Sequence, residues 1–466
     1  MVLELKDKIL ETLGKEADKT GYRIYVVGGY TRDFILGKKD TDIDIMVLGD
    51  ATEFAHVAAK KFGTELNAVY KNFGTALLII NQNDFEYKIE FASARKESYN
   101  KNSRKPEVEF ATLQEDISRR DFTINTLAVS LNSENFGELI DLYNGEEDIR
   151  HGIIKTPLDP LKTFDDDPLR IMRAIRFASK LNFKIEENTF NAVIKMKERL
   201  AESEVVSVER ITDEFLQILM TPKPSIGLDL MFKTGVMAIV FPEISIMAGV
   251  DQRKDYHHKD VFYHTLQVVD NISQKTDNVW LRFAALVHDI AKPKTKKFVE
   301  GIGWTFHAHE EVGARMMKKI FQRMRLPLAQ LPYIEKLIRL HLRPIPLAKD
   351  EVTDSAIRRL AADAGEDLED LLTLCRADIT SKNIAKVSKF FKNYEIVEKK
   401  IIEVQEKDKL RNFQSPVRGE EIMEYFKIPP SRAVGIIKKK IEEAILEGII
   451  PNAYEDARRY METLEL

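Results

Sequence analysis

The segment "TDIDIMVL" carries two aspartates, Asp42 and Asp44, one residue apart inside an apolar run. If the segment is a β-strand, residues two apart project from the same face, so the two carboxylates stand side by side while the isoleucines face a core. Carboxylates that close raise each other's pKa unless a cation neutralises them, and Mg²⁺ prefers such hard oxygen ligands. The pair predicts a magnesium site, with a solvated strand end as the alternative.

A glycine pair precedes the aspartates, and its spacing suits the binding of a phosphate group better than that of a dinucleotide. Gly28 and Gly29 lack the G-x-G-x-x-G spacing of a dinucleotide-binding turn. Glycines let backbone N–H groups approach a phosphate closely, and the guanidinium of Arg32 can pair with a triphosphate oxygen. Glu90 in "KIEFASA" offers a third carboxylate on a neighbouring predicted strand. Together these residues predict a two-metal site that activates a hydroxyl and stabilises a leaving pyrophosphate.

Length, composition and charge limit the classes of protein to which the chain can belong. The chain has 466 residues, 44% of them hydrophobic and 31% charged, which predicts a globular protein of about three domains. There are 71 Lys+Arg against 75 Asp+Glu, so any nucleic-acid-binding surface must be local. The single cysteine, Cys375, excludes an internal disulfide framework. The N-terminus does not resemble a signal peptide, and no apolar run approaches a membrane span, so we expect a cytoplasmic protein without a membrane partner.

Hydrophobic periodicity divides the chain into four regions. Residues 1–150 predict a mixed α+β unit with a sheet, including a hairpin between "TALLII" and "EYKIEFASA". Apolar residues at helical spacing predict an all-α region over 151–250, without a convincing strand from Pro168 onward. Residues 251–385 are again helical and contain seven of the nine histidines, and 386–466 read as charged helices.

Three motifs in a fixed order carry a family resemblance. The glycine pair, Arg32-Asp33 and D-x-D resemble the nucleotidyltransferase head of the polymerase-β superfamily. "RRDFTINTLA" resembles the second signature of the class II tRNA nucleotidyltransferase and bacterial poly(A) polymerase family, and "DDPLRIMRAIRFASKLNF" resembles its nucleotide-selecting motif and neck. Together the motifs span most of residues 23–183. The resemblance implies an α+β fold with a polymerase-β-like head, followed by all-α neck (151–250), HD (251–385) and RNA-binding tail (386–466) domains.

The resemblance also implies roles for individual residues. Asp42 and Asp44 would hold Mg²⁺, and the other positions would bind the nucleotide: Gly28, Gly29, Arg32, Arg119, Arg120, Asp121, Asn125, Asp167 and Arg170. Of these, Arg119, Arg120, Asp121 and Asn125 would lie near the sugar and phosphates. Without the family, a plain solvated pair is the simpler interpretation of Arg119 and Arg120.

Asp167 and Arg170 would read the incoming base. A carboxylate accepts from the exocyclic amino group that cytosine and adenine share, and a guanidinium donates to ring acceptors. Residues three apart share a helix face, and helix capping around Pro168 is compatible with this role. The family usually has Glu-Asp-x-x-Arg, and here Asp166 replaces the glutamate, which leaves its role open. In the neck, Glu209, Arg210 and Glu214 either brace this helix or form surface ion pairs.

The histidine-rich middle resembles the HD superfamily of metal-dependent phosphohydrolases. The ligand order H…HD…D is supplied by His264, His288, Asp289 and Asp378, each in an apolar helical context. The set predicts a metal centre, and mixed N/O ligands leave Mn²⁺, Ni²⁺, Fe²⁺ and Mg²⁺ open. The alternative is a vestigial, purely structural HD fold. His309 and His341 would bind a second metal or contact phosphate, and Lys292 would contact phosphate. We expect His257 and His258 in a surface loop.

The tail and the implied activity complete the hypothesis. Arg432 and Lys438–Lys440 either hold RNA phosphates or form a solvated helix face. The resemblance implies a CCA-adding enzyme that extends tRNA 3′ ends from CTP and ATP with Mg²⁺, gripping the tRNA body with its tail. Four alternatives remain: a poly(A) polymerase, a partial A-adding or CC-adding enzyme, a phosphohydrolase working mainly through the HD centre, and a tRNA-binding protein without catalysis.

Overall fold

The computed structural model describes residues 1–5, 7–38, 41–82, 85–98, 107–250, 260–301, 303–344, 354–380, 388, 392, 394–404, 415–446, 449–451 and 453–464. They divide into two compact units. One comprises Met1–Leu342 with Glu366–Asn383, and the other comprises Arg343–Gly365 with Ile384–Leu466. His257 and His258 lie outside the described residues. No described helix combines the length and hydrophobicity that a membrane crossing requires.

The head combines a central mixed sheet with helices. Its elements are α1 (Lys8–Thr20), β1 (Arg23–Val27), α2 (Gly29–Ile35), β2 (Asp42–Leu48), α3 (Ala51–Phe62), β3 (Ala68–Tyr70), β4 (Thr75–Gln82), β5 (Phe85–Ser93), β6 (Arg95–Ser98), β7 (Glu107–Phe110), α4 (Leu113–Ser118), β8 (Ala128–Ser130), β9 (Leu139–Ile140) and α5 (Gly145–His151). The strand order among the described residues is β3-β4-β5-β2-β1-β8-β9. β2 and β5 run parallel, whereas the other neighbours are antiparallel. The predicted mixed sheet and the hairpin of β4 and β5 are confirmed.

Alternating burial along the central strands sets the two faces of this sheet. On β2, Ile43 and Ile45 are buried while Asp42 and Asp44 are exposed. The buried set packs against α1 and α3, where the ring of Phe54 meets that of Phe91 edge-on at 5.8 Å. Because side chains alternate along a strand, burying one set turns the carboxylates to the opposite face.

Helices continue the first unit beyond the head. The elements are β10 (Ile153–Ile154), α6 (Pro160–Asp166), α7 (Leu169–Leu181), β11 (Lys184–Ile185), α8 (Glu187–Met196), α9 (Val208–Leu219), α10 (Pro224–Thr234), α11 (Val236–Val240) and α12 (Pro242–Ser245). β11 pairs in parallel with β10, so this region is not entirely helical as predicted. The prediction missed the pair because two residues are too short to show an alternating pattern.

The histidine-rich region is a helical bundle with one hairpin. Its elements are α13 (Val261–Ser273), α14 (Val279–Val287), α15 (Lys292–Thr295), β12 (Lys297–Val299), β13 (Gly303–Thr305), α16 (His309–Arg323), α17 (Leu331–Leu340) and α19 (Leu368–Ala377), whereas α18 (Asp354–Ala364), which lies between α17 and α19 in the chain, belongs to the second unit. The antiparallel pair of β12 and β13 contradicts the all-helical prediction for this region. Its strands of three residues lie in a lysine-rich segment, where hydrophobic alternation gives no signal.

The second unit contains the C-terminal helices. These are α20 (394–404), α21 (Gly419–Phe426), α22 (Arg432–Leu446) and α23 (Tyr454–Glu462). Val417, Ile422, Ile437, Ile441 and Met461 form a small buried core among them. The apolar residues of α22 recur at helical spacing toward this core, which turns its lysines outward.

A buried arginine joins the neck to the histidine-rich helices. The guanidinium of Arg282 donates to the carbonyls of Leu219, Thr221, Ser273 and Thr276, at 2.9 to 3.2 Å. It also donates to the carboxylate of Asp277 at 3.0 Å. The side chain therefore caps the carbonyl ends of α9 and α13 simultaneously.

We expect Arg282→Met to lower the free energy of unfolding by about 3 kcal/mol, because it leaves buried carbonyls without a donor. Urea denaturation followed by circular dichroism measures the change. Arg315→Met is the matched control, since Arg315 is 74% exposed and its ion pair among the described residues is with Glu311 on the surface of α16. Equal stability of the two variants would contradict the assigned capping role.

Candidate functional site

Three carboxylates of the head lie together on the exposed face of the sheet. Asp42 and Asp44 alternate with buried isoleucines on β2, and the parallel register of β2 and β5 places Glu90 directly opposite Asp44. Glu90 is likewise exposed between the buried residues Ile89 and Phe91. Period-two alternation therefore brings together all three predicted metal-binding carboxylates, a donor set of the kind that Mg²⁺ prefers.

The glycine turn lies beside these carboxylates because β1 pairs with β2. Gly28 has φ +68°, and a Cβ added there would lie 3.2 Å from Oδ2 of Asp44 and 3.4 Å from Nη1 of Arg120. A larger residue is therefore both strained and crowded at this position. The helix α2 begins at Gly29. Its first turn faces a cavity of about 750 Å³ that is lined by both glycines, Asp44 and Glu90.

A buried aspartate that the sequence analysis missed positions the arginine pair. Asp116, on α4, is 2% exposed and accepts hydrogen bonds from Arg119 at 2.7 Å and from Arg120 at 3.0 Å. It also accepts from the backbone N–H of Arg95 at 3.3 Å. Burial opposes ionisation of Asp116, but the charges of Arg120 and Arg119 hold its pKa below its usual range. The two arginines are therefore fixed at the cavity wall, unlike a plain solvated pair. Their spacing of three and four residues from Asp116 was the available signal.

Arg32, Asn125 and Asp121 form the interior of the cavity wall. Arg32 is 4% exposed, pairs with both oxygens of Asp33, and donates through Nη1 to Oδ1 of Asn125 at 2.8 Å. Asn125 donates to Oδ1 of Asp121 at 2.9 Å, while Oδ2 of Asp121 accepts from Arg173. The side chains of Arg32 and Asp121 thus have several partners within the protein, whereas Nη1 of Arg120 points toward Gly28 and Asp44.

The residues predicted to select the base, Asp167 and Arg170, line the same cavity. Oδ1 of Asp167 accepts from the backbone N–H of Leu169 at 3.1 Å at the start of α7, and its Oδ2 lies 3.7 Å from Nη2 of Arg210. Arg170 donates to the carbonyl of Arg119 at 2.6 Å, which fixes its guanidinium in the wall. The carboxylate of Asp167 therefore caps the start of α7 and also lines the cavity. Burial raises the pKa of Asp166, the residue that replaces the usual glutamate.

Two arginines of α7 connect the base-selecting motif to the neck. Nη2 of Arg173 lies 2.5 Å from Oδ2 of Asp121, and Nε of Arg176 lies 2.5 Å from Oε2 of Glu214. Arg173 also lies 3.9 Å from Oε1 of Glu214. Glu214 therefore braces α7 from α9. By contrast, the exposed Glu209 lies 3.9 Å from Arg325, a surface ion pair.

The histidine-rich bundle brings six potential metal ligands together. Four imidazoles are held through Nδ1: His288 by the carbonyl of Ala285, His309 by that of Phe306, His341 by that of Ile338, and His264 by the hydroxyl of Thr380. Such bonds fix the ring orientation and direct Nε2 toward a metal. His264, His288 and Asp378 form one group of close ligand atoms, and Asp289, His309 and His341 form another.

The Nε2 atoms of these histidines converge on two carboxylates. Nε2 of His264 lies 2.8 Å from Asp378, and that of His309 lies 3.2 Å from Asp289. The Nε2 atoms of His288, His309 and His341 are buried without a hydrogen bond in the described structure. Buried polar atoms normally have a partner, so these residues fit a bound cation. Nζ of Lys292 lies 2.5 Å from Oδ2 of Asp289.

The carboxylates determine which histidine carries a proton. Burial opposes protonation of His288, but Asp289 and Asp378 outweigh it and raise its pKa to about 10. Burial and the charge of His288 lower the pKa of His341 to about 4. Because a metal requires neutral imidazole, loading the centre must remove the proton from His288.

We therefore expect metal affinity to rise about tenfold per pH unit between pH 6 and 9, with about one proton released at pH 7. Protons compete for His288 below its pKa of about 10, so affinity falls as pH falls. Calorimetric titration of Mn²⁺ in two buffers of different ionisation enthalpy counts the protons. The variant with Asp42→Asn and Asp44→Asn restricts binding to the histidine-rich centre. A pH-independent affinity would contradict this protonation state.

Family models match three successive parts of the chain. A poly A polymerase head domain matches residues 24–155, a probable RNA and SrmB-binding site of polymerase A matches 182–247, and an HD domain matches 261–383. The fold and the site thus define a class: a polymerase-type nucleotidyltransferase head followed by an HD domain.

Curated relatives give the same result. A multifunctional CCA protein of Nitrosococcus oceani is 31% identical over 374 residues, which are 77% of this chain and 85% of that protein. An A-adding tRNA nucleotidyltransferase of Aquifex aeolicus is 35% identical over 278 residues, 60% of this chain and 32% of that protein. The chain spans about a third of the length of this A-adding relative. The chain belongs to the tRNA nucleotidyltransferase and poly(A) polymerase family, as its motifs predicted.

Solved structures share the fold. A tRNA nucleotidyltransferase complexed with a primer tRNA and an incoming ATP analogue aligns with a TM-score of 0.60 and 26% identity, covering 83% of this chain and 98% of that chain. A Thermotoga maritima CCA-adding enzyme complexed with tRNA aligns with a TM-score of 0.58 and 23% identity, covering 98% and 95%, a likeness of fold alone. The predicted architecture, a polymerase-type head followed by helical domains, is confirmed.

Proposed function

We propose that the chain is a CCA-adding tRNA nucleotidyltransferase that works in the cytoplasm on tRNA, CTP and ATP. The observation that carries the proposal is a single cavity that is lined by Asp44 and Glu90 as well as by Asp167 and Arg170. The carboxylates suit a triphosphate with its cation, and Asp167 with Arg170 suits a base. The names of the multifunctional CCA protein and the tRNA complex above support this assignment.

The head residues act by positioning and by charge. Asp42, Asp44 and Glu90 would hold Mg²⁺, which when bound favours attack by the tRNA 3′ hydroxyl on the α-phosphate and stabilises the departing pyrophosphate. The backbone N–H groups of Gly28 and Gly29 donate to triphosphate oxygens. We assign the main phosphate-binding cation to Arg120, because Nη1 lies toward Gly28 and Asp44. Arg32 supports this wall through Asn125.

Asp167 and Arg170 would select the base. Asp167 accepts from the amino group of cytosine or adenine, whereas uracil presents a carbonyl at the equivalent position. We expect Asp167→Ala to lower the ratio of kcat/KM for CTP over UTP about 10- to 100-fold, because a specific base contact is worth ~1–3 kcal/mol. Single-turnover addition to a tRNA transcript measures the ratio. Asp165→Asn, an exposed acid two residues earlier, is the control. An unchanged ratio in Asp167→Ala would remove this residue from base selection.

Incorporation into a tRNA transcript that lacks its CCA end tests the main proposal. Labelled CTP and ATP with Mg²⁺ are supplied, and products are resolved at single-nucleotide length. Addition of C, C and A followed by a halt supports the proposal. Open-ended A addition indicates a poly(A) polymerase, and addition of A only to a transcript ending in CC indicates an A-adding enzyme. No addition with any nucleotide contradicts nucleotidyl transfer.

The HD centre supports a second activity. We propose that it holds divalent transition-metal ions and hydrolyses phosphate esters, because its imidazoles are oriented through Nδ1 and its Nε2 atoms converge. A metal held there would activate water and polarise the phosphoryl group. Lys292 would contact a phosphate oxygen. A purely structural role leaves Nε2 of His341, which lies 3.9 Å from Asp289, buried without a hydrogen bond in the described structure.

The helical regions after the head would hold the tRNA. The match to a probable RNA-binding site covers residues 182–247. For the tail, the exposed Lys439 and Lys440 on α22 are suited to backbone phosphates, although Lys439 also lies 3.5 Å from Glu443. Contacts of this kind depend on charge and shape more than on sequence, as recognition of a folded tRNA requires.

A further inference from the structure

The hairpin of β12 and β13 exposes an aromatic pair flanked by lysines. Phe298 lies directly opposite Trp304 in the strand register, with their rings edge-on at 5.3 Å. The two residues remain 50% and 38% exposed. Nζ of Lys296 lies 4.4 Å from the centre of the Trp304 ring. Large aromatic side chains this exposed are unusual in a core-forming role and suggest a ligand.

Both ends of this hairpin are fixed to the HD centre. The segment before it begins at Lys292, which bonds to Asp289 and lies 5.8 Å from the ring of Phe306. The segment after it contains Phe306, whose carbonyl accepts from Nδ1 of His309 at 2.8 Å. The hairpin thus lies in the chain between two residues, Lys292 and Phe306, that contact residues of the HD centre.

The composition of this segment favours one kind of ligand. Lys294, Lys296 and Lys297 precede the aromatic pair, and all are at least partly exposed. Flat exposed rings among cations suit unpaired bases joined by phosphates, since bases stack on aromatic side chains and lysines neutralise the backbone. An acidic peptide would pair with the lysines but would have no base to stack on the ring of Trp304.

We propose that the hairpin binds the unpaired end of an RNA strand, with a base stacked on Trp304 and backbone phosphates held by Lys294, Lys296 and Lys297. A terminal phosphate of this strand then reaches Lys292 and the histidines. The consequence for hydrolysis rests on the second activity proposed above, whereas the binding itself requires neither that activity nor nucleotide addition. In this proposal the hairpin selects the RNA substrate, and the buried metal ligands of the HD centre hydrolyse its terminal phosphate.

Tryptophan fluorescence of the full chain tests this binding site. Trp280 and Trp304 are the only tryptophans, so Trp280→Phe makes Trp304 the single reporter. A six-nucleotide single-stranded RNA with a 3′ phosphate is titrated in EDTA, which removes any contribution from hydrolysis. We expect saturable quenching, with about tenfold weaker binding of an abasic strand of the same length and charge. RNA held elsewhere on the chain does not quench this residue.

Variants and a competing ligand complete the test. Lys296→Gln with Lys297→Gln is expected to raise the Kd several-fold and to reduce its salt dependence. Lys318→Gln, on the surface of α16, is the charge control. Absence of quenching by the RNA overturns the proposal. So does equal quenching by the intact strand, the abasic strand and a polyglutamate peptide, because that result indicates a general anion surface.

Discussion

Asp44→Asn is expected to lower the rate of nucleotide addition at least about 1000-fold while leaving phosphate-ester hydrolysis unchanged. Asp44 lies opposite Glu90 and beside Gly28, so its carboxylate belongs to both the proposed metal-binding part and the proposed triphosphate-binding part of the site. Loss of the negative charge weakens the cation that stabilises the transition state, and a factor of 1000 corresponds to ~4 kcal/mol. Single-turnover CMP incorporation measures the rate.

The control for this prediction is Glu86→Gln. Glu86 is an exposed carboxylate four residues before Glu90 on β5, so it shares the strand and its face. We expect it to retain wild-type addition. If Asp44→Asn adds CMP at a rate within tenfold of that of Glu86→Gln, the carboxylates of β2 are not the catalytic centre.

Asp289→Asn is expected to abolish hydrolysis of p-nitrophenyl phosphate and to weaken Mn²⁺ binding at the HD centre at least about 100-fold. Asp289 is the ligand that both groups approach, at 3.3 Å from Nε2 of His288 and 3.2 Å from Nε2 of His309. An amide retains the shape of the side chain but lacks the charge that divalent ions require. Metal content after dialysis and the hydrolysis rate measure the effect.

Nucleotide addition by Asp289→Asn shows whether the effect of this substitution is confined to the HD centre. The head carboxylates are separate from the HD ligands, so CMP incorporation by Asp289→Asn should remain near that of the wild type. Glu369→Gln, an exposed acid on α19, controls for the loss of one negative charge. Retained metal and retained hydrolysis in Asp289→Asn would show that the cluster is structural.

Local periodicity was sufficient to predict how the carboxylates of the head are arranged. Alternation on β2 and β5 places Asp42, Asp44 and Glu90 on one face because a strand repeats every two residues, whatever surrounds it. The roles of Arg32 and Asp121 were harder to predict, because their burial depends on partners distant in sequence. Arg32 meets Asn125 across 93 positions, and Asp121 meets Arg173 across 52. No local pattern encodes such pairings.

The same limit applies to the histidine-rich region. The order of His264, His288-Asp289 and Asp378 indicated the ligands, but not the carbonyls that orient them, since every residue has a carbonyl. The hairpin of β12 and β13 also escaped prediction, because its strands are short and carry lysine. The role of Asp116 could have been predicted from the sequence, because its spacing to Arg119 and Arg120 is that of a helical ion pair.

The position of Lys292 bears on how the HD centre behaves without metal. Its ammonium group lies 2.5 Å from Asp289, and the protonated His288 lies between Asp289 and Asp378. Two positive charges thus balance two negative charges in a buried space. An emptied centre of this kind is electrically neutral, so chelation need not unfold the bundle. Metal loss is then expected to be reversible, and the availability of the ion would switch the proposed second activity on or off.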